Sequence, residues 1–393
     1  MLKLGGKVSG VQSSENSGSR LYSISTNALL PSVLKASKAY LVQDDKIPDG
    51  FAHYLILDSI NILAASLPKN VDYTLLPDGY AYLGDEDVIR LSQNGSAIRV
   101  LYRKSSHSNS IMVTERCNHY CLMCSQPPKN VDDSWLLDEI EQLIPLIPRT
   151  TREIGFTGGE PTLHGERFLE ILRTTKSYLP WTSVHILSNG RRFKEAAFVR
   201  SYAGIEHPDM MVGIPIYSDD PALHDFIVQA KGAFDETVQG VLNLKRMEQK
   251  VEIRVVIHQQ SIKRLSQLCE FLARNLLFVD HVALMGLEMT GFTRANLDKL
   301  WIDPYEYRDT LSRAVEILAS YGMNISVYNH QICLVNEDVR PYYRKSISDW
   351  KNEYAPECSG CTMISECGGF FSSAIQHQYS KHLKPFKFKK LHD

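Results

Sequence analysis

The sequence predicts an α/β protein in three parts: a β-rich N-terminal domain over residues 1–105, a parallel βα sheet over 106–300, and a cysteine-rich region over 301–393. Three observations carry this. A chain of 393 residues is long enough for about two to three domains, each with a core of its own. From Ser110 onward, apolar strand-like runs alternate with helical periods, the signature of parallel strands joined by crossover helices. Six of the eight cysteines fall in two tight groups, Cys117, Cys121 and Cys124, then Cys358, Cys361 and Cys367.

In chain order, HYLILDSINIL (His53 to Leu63) and IRLSQNGSAIRVLYR (Ile89 to Arg103) alternate between apolar and polar residues and are separated by Gly, Asp and Pro clusters that read as turns. Six strands follow: IMVT (Ile111 to Thr114), EIGFT (Glu153 to Thr157), SVHILS (Ser183 to Ser188), MMVGIPIY (Met210 to Tyr217), VEIRVVIH (Val251 to His258) and HVALMGLEM (His281 to Met289). Between them lie amphipathic helices. The clearest carries Ile262, Leu265, Leu268, Cys269, Leu272 and Leu276 at spacings of three and four, which makes Cys269 a core residue rather than a ligand. The third region opens at Trp301 with Asp303-Pro304 as a helix start. Tyr307, Leu311, Val315 and Leu318 share one face, and ISVY (Ile325 to Tyr328) reads as a further strand.

Charge and hydropathy exclude several classes. With 43 Lys+Arg against 45 Asp+Glu there is no overall field to attract nucleic acid or an anionic membrane. No run approaches the ~18 apolar residues of a membrane span. The polar stretch VQSSENSGSR (Val11 to Arg20) lacks a signal peptide's apolar segment, so a cytoplasmic location is expected. In that reducing compartment the cysteines are not a disulfide framework. The basic tail KHLKPFKFKK (Lys381 to Lys390) reads as a solvated end.

TERCNHYCLMC places Cys117, Cys121 and Cys124 at CxxxCxxC directly after a strand, on a loop, because Asn118 and His119 interrupt any strand pattern. Parallel barrels carry their chemistry at that end. Thiolates suit zinc and iron–sulfur centres, and three of them leave one metal position open. In a cubane cluster the open iron is a Lewis acid for a substrate, whereas His119 would instead complete a structural zinc site. CxxxCxxC on the loop after the first strand of a partial (β/α)6 barrel resembles the radical S-adenosylmethionine (SAM) enzymes. The resemblance implies that Cys117, Cys121 and Cys124 hold a [4Fe–4S] cluster whose open iron chelates SAM, and that a reductant triggers release of a 5′-deoxyadenosyl radical. It also implies that Met123, where an aromatic residue is common in the family, lies against the adenine.

Further strings agree in order. TGGEPTL presents Gly158, Gly159, Glu160 and Pro161 at the end of the second strand, and the resemblance gives them to the methionyl amino group; by itself this is a tight turn. SNG (Ser188, Asn189, Gly190) after the third strand supplies short polar groups suited to a ribose. Arg254, inside an apolar strand, needs an anion, either a structural carboxylate or the cofactor's own. In YSDDPALHDFI, Ser218 and Asp219 are weaker cofactor candidates. No side chain is nominated as the catalytic group acting on the substrate.

CSGCTMISECGGFF sets Cys358, Cys361 and Cys367 at CxxCxxxxxC, a specific metal signal that resembles the auxiliary-cluster segments of peptide-modifying radical SAM maturases; structural zinc is the alternative. Cys333, at the end of a strand and followed by 24 residues of slack, is expected to complete a closed four-cysteine site, against a reading as a small core residue flanked by Ile332 and Leu334. TERCNHYCLMCSQPPK, SISDWKNEY (Ser346 to Tyr354) and CGGFFSSA together resemble the His-Xaa-Ser system radical SAM maturase, C-type. That resemblance implies a ribosomal peptide substrate carrying His-Xaa-Ser repeats and a second maturase as partner. A radical SAM enzyme acting on a small molecule and a zinc-stapled binding module are the competing classes. The N-terminal domain, which carries no cysteine, is expected to recruit a leader peptide or the partner maturase at an exposed strand edge, or else to cap the barrel.

Overall fold

The computed structural model describes residues 3–11, 20–60, 66–69, 71–93, 95–345 and 352–387. The polar stretch 12–19, residues 61–63 of HYLILDSINIL, residues 346–351 of SISDWKNEY and the last residues of the basic tail, 388–390, lie outside the described residues. The chain divides into two compact units. One comprises Met1–Ile111, Trp135–Ile154 and Ile171–Ser183; the other comprises Met112–Ser134, Gly155–Glu170 and Val184–Asp393.

The first unit holds strands β1 (Gly5–Lys7), β2 (Ser9–Val11), β3 (Arg20–Ser25), β4 (Lys38–Leu41), β5 (His53–Leu57), β6 (Tyr73–Leu76), β7 (Val88–Leu91) and β8 (Ala97–Tyr102). They form one sheet in the order β1-β8-β7-β3-β4-β5-β6-β2. β1 and β2 stand at opposite ends of that order, yet only Val8 separates them in the chain. The sheet must therefore curl until its ends meet, and the segment Gly5–Val11 closes it. The core follows from this curl: Ile24, Leu41, Leu55, Leu76, Ile89 and Ile98, one from each of β3 to β8, share a single buried cluster. Tyr40, Tyr54 and Ile56, their neighbours on alternate positions, pack into a second cluster on the other face. β1 and β2, the terminal strands of that order, pair with β8 and β6 respectively. Within the same unit the helix Trp135–Leu143 buries Leu136, Leu137, Ile140 and Leu143. Its Glu139 pairs with Arg90 at 2.8 Å and Arg99 at 3.3 Å, and Arg90 also lies over the Trp135 ring.

The second sheet has seven strands: β9 (Asn109–Thr114), β10 (Glu153–Gly158), β11 (Ser183–Leu187), β12 (Met210–Pro215), β13 (Lys250–Ile257), β14 (His281–Gly286) and β15 (Ile325–Tyr328). Spatial order equals chain order, β15-β14-β13-β12-β11-β10-β9, and the pairings from β11 through β15 are parallel. Neighbouring parallel strands need long crossovers, here helices such as Ala233–Arg246 and Leu265–Asn275. All six strands read from the sequence are present. ISVY, read as part of the C-terminal region, joins the same sheet as its seventh strand. In the helix Leu265–Asn275, Leu265, Leu268, Cys269 and Leu272 are buried, so Cys269 is a core residue. The helix start expected at Asp303 falls a turn early. Asp303 Oδ1 accepts the Tyr305 amide in a turn, and the helix runs Arg308–Ser320 with Leu311, Val315 and Leu318 buried. Among the described residues no helix is long and apolar enough to cross a membrane.

Candidate cofactor and metal site

Strand parity positions the site. Along β13, Val251, Ile253, Val255 and Ile257 are buried on one face, which leaves Glu252, Arg254 and Val256 on the other. Arg254 and Val256 then line an open cavity of about 280 Å³ at the carboxyl ends of the strands, with Cys117, Cys121, Met123, Cys124, Thr157, Gly158, Gly159, Ser188, Asn189 and Tyr217 also in its wall. The structure thus brings together the first cysteine group, the two glycines, Ser188, Asn189, Met123 and Arg254. Glu160 and Pro161 are buried behind that wall, and Ser218 and Asp219 do not line it.

The cysteine loop is held from three sides. The Gly159 amide donates to Thr114 O and the Glu160 amide to Arg116 O, both at 2.8 Å. This approach is why two glycines are needed: a Cβ on Gly158 would come within 2.2 Å of Thr114 O, and one on Gly159 within 2.0 Å of Arg116 O. The Tyr120 and Leu122 amides donate to Val228 O and Ile227 O. From far along the chain, Thr293 Oγ1 donates to Met123 O and Asn296 Nδ2 to Leu122 O, each at 3.0 Å. Asn118, inside the cysteine motif, accepts from Asn189 Nδ2 at 2.6 Å and so joins this loop to the SNG turn.

Glu160 is the hub of that junction. Its Oε1 accepts from the Thr162 amide (3.1 Å), Thr162 Oγ1 (2.5 Å) and Ser188 Oγ (2.8 Å), and its Oε2 accepts from the Asn189 amide (2.6 Å). Burial raises its pKa while these four donors oppose the shift. Arg254 has the structural carboxylate that a buried guanidinium requires: its Nη1 lies 3.5 Å from Glu252 Oε1. Glu252 is shared with His281 at 2.7 Å and His185 at 3.5 Å, and His281 reaches Ser326 at 2.9 Å. Arg254 Nη2 also donates to Met285 Sδ at 3.2 Å, and with five N–H donors the guanidinium keeps others for a ligand in the cavity whose wall it shares. Asp219 is committed to Arg264 through two bonds of 2.8 and 2.6 Å, and Ser218 Oγ accepts the Asp220 amide.

The donor set suits an iron–sulfur cluster. Burial pushes the Cys117 thiol up to about 12 and raises Cys121 and Cys124, so ligation must displace protons. His119, 3.9 Å from Cys121 Sγ, is held neutral by burial, its value lowered to about 3. Among the described residues no three Cys, His, Asp or Glu side chains converge as a single metal ion would demand.

A second, smaller cavity is lined by Cys333, Cys358, Cys361 and Cys367 together with Gln331, Ile332 and Tyr354. Its loop is anchored where Gln331 Nε2 donates to Gly369 O, Tyr354 Oη to Cys367 O, and the Gly368 amide to Tyr343 Oη. Burial raises the pKa of Cys333, with Cys367 and Cys361 adding to the shift.

Part of this chain is similar to known proteins. Residues 111–272 match the model of the Radical SAM superfamily, a superfamily of enzymes. A match to that superfamily implies a [4Fe–4S] cluster and S-adenosylmethionine as cofactors. A probable GTP 3′,8-cyclase of Methanocella arvoryzae is 30% identical over 142 residues, 36% of this chain and 44% of that protein. Among solved structures, SuiB of Streptococcus suis bound to S-adenosylmethionine is 16% identical, with TM-score 0.47 over 56% of this chain and 50% of that one. Native anSMEcpe with bound AdoMet is 12% identical, with TM-score 0.49 over 71% of this chain and 92% of that one. The chain thus spans less than half of the cyclase and half of SuiB.

Proposed function

We propose that this chain is a radical SAM maturase that cleaves S-adenosylmethionine reductively and modifies a ribosomally made peptide, of the His-Xaa-Ser repeat type, alongside a second maturase. Cys117, Cys121 and Cys124 would hold the cluster, with Met123, Gly158, Gly159, Ser188, Asn189 and Arg254 around the cofactor. When bound, the cluster and cofactor supply one electron and a carbon-centred radical. The chain's own residues place that chemistry. Arg254 offers guanidinium donors to a carboxylate, the glycines let the backbone approach closely, and Glu160 fixes the loops on either side. One observation carries the peptide reading: a cavity in the same unit as the cofactor cavity is lined by four cysteines, Cys333, five residues past β15, with Cys358, Cys361 and Cys367. Such a closed thiolate set holds an auxiliary iron–sulfur cluster in this reading.

Mass spectrometry of a His-Xaa-Ser repeat peptide coexpressed with the protein tests it, the expected result being a mass change that requires Cys117, Cys121 and Cys124. The similarity to the cyclase favours a second reading, a small-molecule substrate, which predicts turnover with no peptide present. For the auxiliary site, Cys333→Ala in a background lacking the first three cysteines should lower iron content and change the Mössbauer spectrum. An unchanged cluster would remove Cys333 from the ligand set.

A further inference from the structure

Asn329, the residue after β15, has a left-handed backbone with φ of +59°. Asparagine tolerates this conformation, but glycine adopts it at no steric cost. The backbone is fitted to its place: a Cβ on Gly286, at the end of β14, would come within 2.3 Å of Asn329 O. What asparagine adds over glycine is its carboxamide. That group makes no hydrogen bond among the described residues. The two residues after it are engaged within the fold: His330 bonds Tyr307 Oη (2.8 Å) and Tyr328 O (2.7 Å), and Gln331 Nε2 donates to Gly369 O (2.8 Å). Asn329 is also in the wall of two cavities, the cofactor cavity and an adjoining chamber lined by Trp301, Tyr307, Phe370 and Tyr379.

We infer that Asn329 is a substrate-binding residue whose carboxamide hydrogen-bonds the main chain of a peptide that reaches from the aromatic chamber into the cofactor cavity. The inference rests on the peptide reading given above. A carboxamide presents a donor and an acceptor side by side, the complement of a peptide unit's C=O and N–H. A partly buried amide facing a cavity gains most from a partner that enters the cavity and excludes water. The flanking aromatic rings offer apolar surface to the adjoining side chain of such a peptide.

Asn329→Gly is the clean test, since it keeps the left-handed backbone and deletes only the amide. Binding of a fluorescently labelled synthetic His-Xaa-Ser repeat peptide to reconstituted holoprotein with S-adenosylmethionine would be followed by anisotropy. The expected result is a Kd about tenfold higher in the variant, with the thermal midpoint at or above the parent's. If the parent binds and the glycine variant binds as tightly, the role of Asn329 is overturned while the peptide reading stands. If the parent itself does not bind the peptide, the peptide reading fails and takes this inference with it.

Discussion

Glu160 spends both carboxylate oxygens on four donors from the residues around it, so it is expected to act through the loops it holds and not through iron. Glu160→Ala should weaken S-adenosylmethionine binding by about tenfold or more, measured by equilibrium dialysis, while cluster iron stays near the parent's. Iron lost in proportion to binding would contradict this. Buried histidines set a pH dependence. His258 is pushed down to about 3 and His53 to about 4, from an ordinary 6.5, in both cases by burial. The unfolded chain takes up protons that these rings refuse, so stability that is full above about pH 6.5 should fall as pH drops toward 4. Denaturant midpoints at pH 7, 6, 5 and 4 that stay level would refute it. The site residues legible in the sequence were those in local strings: the cysteines, GGE and SNG. Thr293 and Asn296 were not, because they secure the cysteine loop across 170 and 174 residues and no local pattern marks such a partner. Arg254 was legible as a charge in an apolar strand, but only the fold showed that Glu252, His281 and His185 gather beneath it.

The strands of the barrel were readable because parallel strands buried on both faces are continuous apolar runs. β1 and β2 were not: GGKVSGV has three glycines and no alternation, and each strand is only three residues long. Their role as the closing segment comes from pairing alone, β1 with β8 and β2 with β6. Deleting residues 1–11 should leave β6 and β8 as unpaired edges and turn a stable sheet into an aggregation-prone one. Size-exclusion chromatography is expected to show oligomers and a lowered monomer yield. A monomeric variant with the parent's thermal midpoint would show that the segment closes nothing. ISVY was legible as a strand but not as part of the barrel sheet, since four residues say nothing about which neighbour they pair with.

For the molecule as a whole, sequence and fold agree on a parallel barrel sheet, matched over residues 111–272 by the Radical SAM superfamily model, with a cavity built from loops at one end of the sheet. A cut near Ser106 would not isolate that barrel intact, because it strips Glu139 and Trp135 of Arg90 and Arg99, their partners within the first unit. The full chain is therefore the right material for the decisive assay, which is 5′-deoxyadenosine formation by anaerobically reconstituted protein supplied with reductant and S-adenosylmethionine. The parent should form it, and the variant with Cys117, Cys121 and Cys124 all changed to Ala should form none. Formation at the parent's rate in that variant would contradict the assignment of the site.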